Sequence, residues 1–281
     1  MRPLIPFFDH PRITIPLPFE LPTGSDHLTI YGFGVMVALG FLVASRWGIK
    51  RADKIGLDGE VINRLVGWMV LSTFVGGHLG YAIMYDPASY FANPIKFLQV
   101  WEGLSSFGGI VTSIVVAVVF FKVQKLPLWH YLDLLAKVFV LGWGFGRTGC
   151  TLAHDHAGAV TNFWLGRQGI CLNGDKSLAC HDLGMYEMMW AFSVFGLFML
   201  LDRKQRFSGF YAGLLGILYG PVRFFFDFLR PESTDPRYLG FTAGQHWSVV
   251  VFLLGVYIFW SRSRLNEPGK WIAPGSDAPK A

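Results

Sequence analysis

The chain has 281 residues, of which 52% are hydrophobic and 15% charged, and its mean hydropathy is +0.41. Soluble domains carry about 25% charged residues, so this composition excludes an ordinary soluble domain and indicates an integral membrane protein. The net charge of +5 does not make nucleic acid a partner, because the basic residues sit in short clusters between apolar runs, where orientation in a bilayer accounts for them.

The first residues, MRPLIPFFDHPRITIPLPFELP, are proline-rich and hold no unbroken apolar stretch. That argues against a cleavable signal peptide and predicts an irregular segment at the membrane interface. A helix needs ~20 apolar residues to cross a hydrocarbon core. Runs of this kind are expected as helices near 28–45, 65–85, 104–121, 131–150, 183–201, 209–229 and 243–260. The expected fold class is therefore all-α, an integral membrane bundle of about seven transmembrane helices. Its parts are an outer N-terminal segment 1–27, a transmembrane domain 28–262 that includes a large outer loop 151–182, and a polar tail 263–281. Fourteen lysines and arginines fall on the 46–64, 122–125 and 203–206 connections and the tail, against seven on the N-terminus and remaining connections. The first set is then cytoplasmic, with the N-terminus outside and the C-terminus inside. No internal repeat is visible, which argues against a transporter built from paired halves.

The stretch GWGFGRTGCTLAHDHAG, residues 142–158, carries an apolar run straight into Arg147. A guanidinium cannot shed its charge in hydrocarbon, so it must face a partner or a ligand. Other ionisable groups expected inside or at the outer ends of spans are His78, Asp133, Glu187, Arg223 and Asp227. Arg223 and Asp227 stand four apart and share a helix face, whereas Arg147 has no carboxylate at that spacing. Two arginines from different helices at similar depth are expected to make an anion site rather than an ion-pair lattice, since guanidinium offers paired donors to a phosphate. In a membrane that phosphate belongs to a lipid headgroup.

His154, Asp155 and His156, with His181 and Asp182 further on, form a second cluster. Acid–base chemistry or plain solvation suits it better than a metal, because alternating positions in a loop give no firm ligand geometry; neither metal nor cofactor is expected. The cysteines Cys150, Cys171 and Cys180 show no CxxC spacing. Cys171 and Cys180 share one loop, and their pairing is left open, depending on whether that loop faces an oxidising compartment.

In chain order these motifs read IYG with Tyr31, GGHLGYAIMY, WEGLSSFGG, GRTGCTLAHDHAG, HDLGMYE, YGPVRFFFDFLRPES and GQHWS. In this series, from about residue 28 to 262, the chain resembles the bacterial phosphatidylglycerol:prolipoprotein diacylglyceryl transferases. The resemblance implies a seven-helix enzyme of the bacterial inner membrane with a periplasmic N-terminus and no cofactor. Its partners would be phosphatidylglycerol, the lipobox cysteine of a preprolipoprotein and the bilayer itself. The reaction would move the diacylglyceryl group onto that thiol and release glycerol phosphate. Carried onto this sequence, the resemblance implies that Tyr31, Arg147, Gly158, Glu187, Arg223 and Asp227 serve activity or phosphatidylglycerol binding, with Arg147 and Arg223 on the phosphate. The chain also departs from the family pattern. Asp227 stands for the usual glutamate, Gly108 for a histidine, Cys150 for an asparagine, Asp155 for the acidic residue of the signature, and His78 for an arginine. With the histidine gone, His154, His156 or His181, oriented by Asp155 or Asp182, becomes the expected base for the thiol. Two rival readings are a non-catalytic paralogue that binds lipid or lipoprotein precursor, and a metal-assisted transferase or hydrolase built on the HDH cluster.

Overall fold

The computed structural model describes residues 5–19, 26–99, 103–231, 233–234 and 237–269. In chain order its elements are β1 (Arg12–Pro16), β2 (His27–Tyr31), α1 (Gly32–Lys54), α2 (Gly59–Met84), α3 (Pro87–Ala92), a 3-10 turn (Pro94–Leu98), α4 (Ser106–Gln124), α5 (Leu128–Ala153), β3 (Ala157–Val160), β4 (Arg167–Gln168), β5 (Ala179–Asp182), α6 (Leu183–Leu201), α7 (Phe210–Phe228), β6 (Arg237–Tyr238), β7 (Phe241–Thr242) and α8 (Ala243–Leu265). Each expected span overlaps one of the long helices α1, α2 and α4 to α8, with ends that differ by up to nine residues. By length and composition, α1, α2, α6 and α8 are long and apolar enough to cross a membrane, and Val111–Gln124 of α4 is a shorter apolar helix. Their outward faces are apolar, as at Phe41 (51% exposed), Leu71 (53%) and Leu253 (59%). An apolar exterior of this extent suits lipid rather than water, and the protein is a membrane protein.

The chain divides into two compact units, one of Met1–Trp47 and Leu132–Trp271, the other mainly Gly48–Tyr131. In the first unit the expected irregular N-terminus is corrected. β1 and β2 form an antiparallel hairpin with Arg12 opposite Tyr31 and Ile13 opposite Ile30. Thr14 between Ile13 and Ile15, and Thr29 between Leu28 and Ile30, suit a pleated pair, and Tyr31 closes a strand instead of lying within the first helix. The expected loop 151–182 likewise contains a three-stranded sheet, ordered β3-β5-β4, and a disulfide joins Cys171 to Cys180. The expected tail lies beyond Gly269 largely outside the described residues, as do Trp101 and Glu102 of the WEGLSSFGG landmark.

Small residues set the helix approaches. A Cβ on Gly40 of α1 would meet Phe145 Cβ at 2.9 Å and Gly142 O at 3.1 Å on α5, and one on Gly216 of α7 would meet Gly255 Cα and Val251 O of α8, each at 2.9 Å. Such approaches replace the hydrophobic drive that helices lack in lipid. Ala136, Val140, Ala191, Val194, Phe198, Phe210 and Tyr211 make the core between α5, α6 and the start of α7.

Asp133 on α5 is 7% exposed and serves as the cap of another helix. Its Oδ2 accepts from Gly209 N at 2.7 Å, and its Oδ1 from Tyr211 N at 2.8 Å and Ala212 N at 2.9 Å. Gly209 at the α7 N-cap has no side chain to do this, and the first amides of a helix otherwise lack partners. Asp133→Ala should therefore lower stability by at least about 2 kcal/mol, the cost of leaving buried donors unpaired. Thermal unfolding in detergent would show it; an unchanged midpoint would contradict the cap.

In the second unit α2 packs on α4. Thr73 Oγ1 and Ser113 Oγ lie 2.7 Å apart across the pair, and Gly76 and Gly80 meet Gly108 with backbone against backbone. His78 is 2% exposed, with one ring nitrogen at Gly103 O (3.3 Å) and the other at Lys96 O (3.2 Å).

Candidate functional site

Three helix ends in the first unit bring ionisable groups together. The last turns of α5 carry Arg147, the first turns of α6 carry Glu187, and the end of α7 carries Arg223 and Asp227, followed by Arg230. Arg147 Nε lies 2.8 Å from Glu187 Oε2, and Arg223 Nη1 lies 3.9 Å from Glu187 Oε1 and 2.9 Å from Asp227 Oδ1. Arg230 Nε is 3.2 Å from Asp227 Oδ1, and the Thr242 hydroxyl donates to Asp227 Oδ2. The Arg147 guanidinium lies over the Trp143 ring at 4.4 Å.

This arrangement corrects the expectation of an anion site without an ion-pair lattice: the lattice exists, and Arg147 has a carboxylate from another helix. The reason is burial. Two guanidinium groups in a low dielectric need counter-charge even when empty, and Glu187 provides it from a helix that no spacing rule connects to Arg147. The Glu187 and Asp227 side chains are 2% and 1% exposed, while those of Arg147, Arg223 and Arg230 keep 12%, 19% and 24%. The carboxylates form the floor and the cations face outward, a geometry that suits a phosphate. Arg230 was missed in the sequence, although it stands three residues from Asp227, the other spacing at which helical side chains meet.

The HDH cluster does not act as a unit. His154 takes a left-handed backbone, φ 51°, which turns its ring away from its neighbours. Its Nε2 faces Phe8 O at 2.9 Å, and the rings of Phe7, Phe8 and His10 surround it. His156 Nδ1 instead meets Asp155 Oδ1 at 2.5 Å. Hydrogen bonds to Asp155, and next to Cys150, push His156 up to about 9. Burial raises Asp155, but the hydrogen bond and charge of His156, a backbone hydrogen bond and the Arg147 charge together outweigh it and hold the carboxyl below its usual range. Burial lowers both His154 and His181. His181 Nδ1 lies 3.0 Å from the Tyr186 hydroxyl. Asp182 does not orient a histidine as expected; its Oδ1 accepts from Met185 N at 2.9 Å to cap α6, and its Oδ2 lies 3.0 Å from Arg167 Nε. Arg167, 4% exposed, carried no sequence signal.

Because His156 rises from its ordinary 6.5 to about 9, its contribution to stability is complete below the lower value and is lost as pH rises through the upper one. Melting temperature should fall over that interval in the wild type and stay flatter in His156→Gln. Parallel profiles would contradict the Asp155 contact. Asp155 adds the opposite limb, present above its ordinary 3.8 and lost as pH falls below it.

Gly158 and Tyr31 add no charge to this cluster. A Cβ on Gly158 would meet Leu229 O at 2.6 Å and His181 Cβ at 2.8 Å, so the glycine lets β3 lie against the end of α7. Tyr31 is 55% exposed. Cys150, Asp155 and His156 bring one S, O and N atom each within 4.8 Å of one another. Arg147 Nη1 donates to the sulfur at 3.8 Å and His156 is bonded to Asp155, so the donors are engaged with protein groups. The trio reads as a hydrogen-bonded chain, and the HDH run expected by the metal reading is not the set that converges.

A family model for prolipoprotein diacylglyceryl transferase matches residues 23–261. The chain belongs to that family.

Among the relatives of this diacylglyceryl transferase family member is a phosphatidylglycerol–prolipoprotein diacylglyceryl transferase of Janthinobacterium sp., 30% identical over 86% of this chain and 94% of the relative. Proteins of the same name from Chromohalobacter salexigens and Pseudomonas fluorescens are 29% and 28% identical, over 83% and 92% of this chain and 88% and 96% of theirs. For a diacylglyceryl transferase family member, Gly108 has a physical reason: a Cβ there would lie 2.3 Å from Gly76 O and 2.9 Å from Gly80 Cα. The crossing of α2 and α4 has no room for any side chain at that position.

Proposed function

We propose that this chain moves the diacylglyceryl group of phosphatidylglycerol onto the lipobox cysteine thiol of a prolipoprotein, forming a thioether and releasing glycerol phosphate. It does so in the bacterial inner membrane, as a seven-span protein with a periplasmic N-terminus and a cytoplasmic C-terminus. The observation that carries the reading is the convergence of Arg147 and Arg223, from separate helices, on the enclosed Glu187 and Asp227 carboxylates, with both guanidinium groups more exposed than the carboxylates beneath them. Carbon–oxygen cleavage makes a phosphate monoester the leaving group, and preorganised cations stabilise its developing charge, most strongly where water is scarce. Arg147 and Arg223 hold the phosphate, while Glu187 and Asp227 hold the arginines. Tyr31 serves the headgroup, and Gly158 shapes the wall beneath it.

The acceptor thiol must lose its proton. His156 is already protonated at neutral pH, since its value stands at about 9; it adds a cation and cannot act as the base. His154 has Nε2 on the Phe8 carbonyl and Nδ1 enclosed without a hydrogen-bond partner. His181 remains: burial keeps it neutral and Tyr186 orients it. His181→Ala should slow phosphatidylglycerol-dependent transfer to a lipobox peptide by about 10²-fold or more, with His154→Ala much less affected; the reverse order would reassign the base. Rescue of cells depleted of their own transferase tests the function as a whole.

The second reading, a paralogue that binds the lipid without reacting, draws on Gly108, where the family pattern has a histidine. It predicts phosphatidylglycerol binding with no glycerol phosphate released.

A further inference from the structure

Arg147 is held on three sides. Its Nε lies 2.8 Å from Glu187 Oε2, its Nη1 donates to the Cys150 sulfur at 3.8 Å, and one face of the guanidinium lies over the Trp143 ring at 4.4 Å. Nη2 takes no part in these contacts. Trp143 stands four residues before Arg147, which puts both on one face of α5.

The same step recurs on the two neighbouring helices. Tyr219 stands four residues before Arg223 on α7, and Trp190 three residues after Glu187 on α6. Each ring thus lies about one turn further along its helix from the end that carries the charge. The Tyr219 ring meets Trp143 edge-on with centroids 6.5 Å apart, and meets Trp190 at 5.4 Å. Phe139, a further turn along α5, stacks on Trp143 at 5.4 Å. An aromatic layer drawn from three helices underlies the charged groups.

Packing alone does not account for an indole in that layer. Trp143 Nε1 is buried and has no hydrogen-bond partner among the described residues, a cost that phenylalanine or leucine would avoid. What tryptophan adds is its face, which attracts a cation more strongly than that of tyrosine or phenylalanine, and most strongly where water is excluded.

We propose that Trp143 is a positioning residue for the transfer reaction: its ring fixes the plane of the Arg147 guanidinium so that Nη2 meets the phosphate as charge develops on it. The inference rests on the phosphate reading of Arg147. The Glu187 contact at Nε leaves the plane free to tilt, and the ring beneath removes that freedom before the lipid arrives.

The test uses the full chain in detergent micelles with phosphatidylglycerol and a lipobox peptide. Trp143→Leu should lower kcat by about tenfold or more, with KM for the lipid changed less, because a tilting guanidinium still meets the lipid's single charge but not the second charge of the leaving phosphate. Trp143→Phe keeps a ring and should fall between. Fluorinated tryptophans placed at position 143 alone separate this role from packing, and do so whether or not Trp143→Leu folds. Each fluorine draws electron density from the face and scarcely changes the shape, so kcat should fall stepwise with fluorine number while the melting temperature holds. Equal kcat along the fluorine series, or wild-type kcat in Trp143→Leu, overturns the proposal. A wild type that transfers nothing instead sinks the transfer reading, and affinity for glycerol phosphate along the same fluorine series then decides. Affinity that falls with fluorine number supports the positioning role; affinity that does not, or no binding at all, overturns it.

Discussion

Replacing Arg147 with alanine is expected to abolish lipid transfer, by about 10²-fold or more in turnover, as removal of one charge-stabilising donor does in other active sites. The same change leaves Glu187, 2% exposed, with Arg223 at 3.9 Å as its remaining cation. Removing one member of a buried pair typically costs ~3–5 kcal/mol, so loss of activity in this variant could reflect a weakened fold. The double variant Arg147→Met with Glu187→Leu separates the two effects. It removes both charges, and Arg223 keeps Asp227 at 2.9 Å, so stability should recover while transfer stays absent. Arg147→Lys keeps the charge and loses the paired donors, and should fall between wild type and alanine because a point charge does not match a phosphate with two parallel bonds. Full transfer by Arg147→Ala would remove the phosphate role, and recovery of transfer in the double variant would show that Arg147 acts only on the fold.

The second large effect is on the α2–α4 crossing. Gly108→His, which would restore the histidine of the family pattern, is expected to destabilise the protein by roughly 3 kcal/mol or more, the upper range for overpacking. The obstruction is backbone: the new Cβ would sit 2.3 Å from Gly76 O, and no rotamer moves a Cβ. The helices would have to separate, breaking the Thr73 and Ser113 contact at 2.7 Å. Thermal unfolding and protease resistance in detergent would report it. A variant that melts with the wild type would mean that the two helices can part at little cost, and would reopen position 108 to catalytic use.

Some of this site could be read from residue spacing. Arg223 and Asp227, four apart on one helix, pair at 2.9 Å as expected. The apolar runs mark the helices because crossing a membrane requires every backbone group to be satisfied within the segment, a constraint local enough to be written in composition. The resemblance carried by seven short motifs led to the family that residues 23–261 match.

Other features depended on the chain meeting itself at long range. Arg147 finds Glu187 forty positions away, and Asp133 caps a helix that starts after position 209; no periodicity links residues on separate helices. HDH looked like one cluster in the sequence, yet a single left-handed residue, His154, sends one imidazole to the N-terminal segment and leaves the other against Asp155 and Cys150. The strands of the N-terminus and of the 151–182 segment were hidden because each is five residues or fewer and takes its stability from its partner strand. Composition and motif order thus determined a membrane-embedded helical member of a lipid-transferring family, because bilayer crossing and short motifs are local properties of a chain. Which charge answers which, and which histidine keeps its proton, was decided only by the fold, because Coulomb attraction and desolvation depend on distance and burial in space.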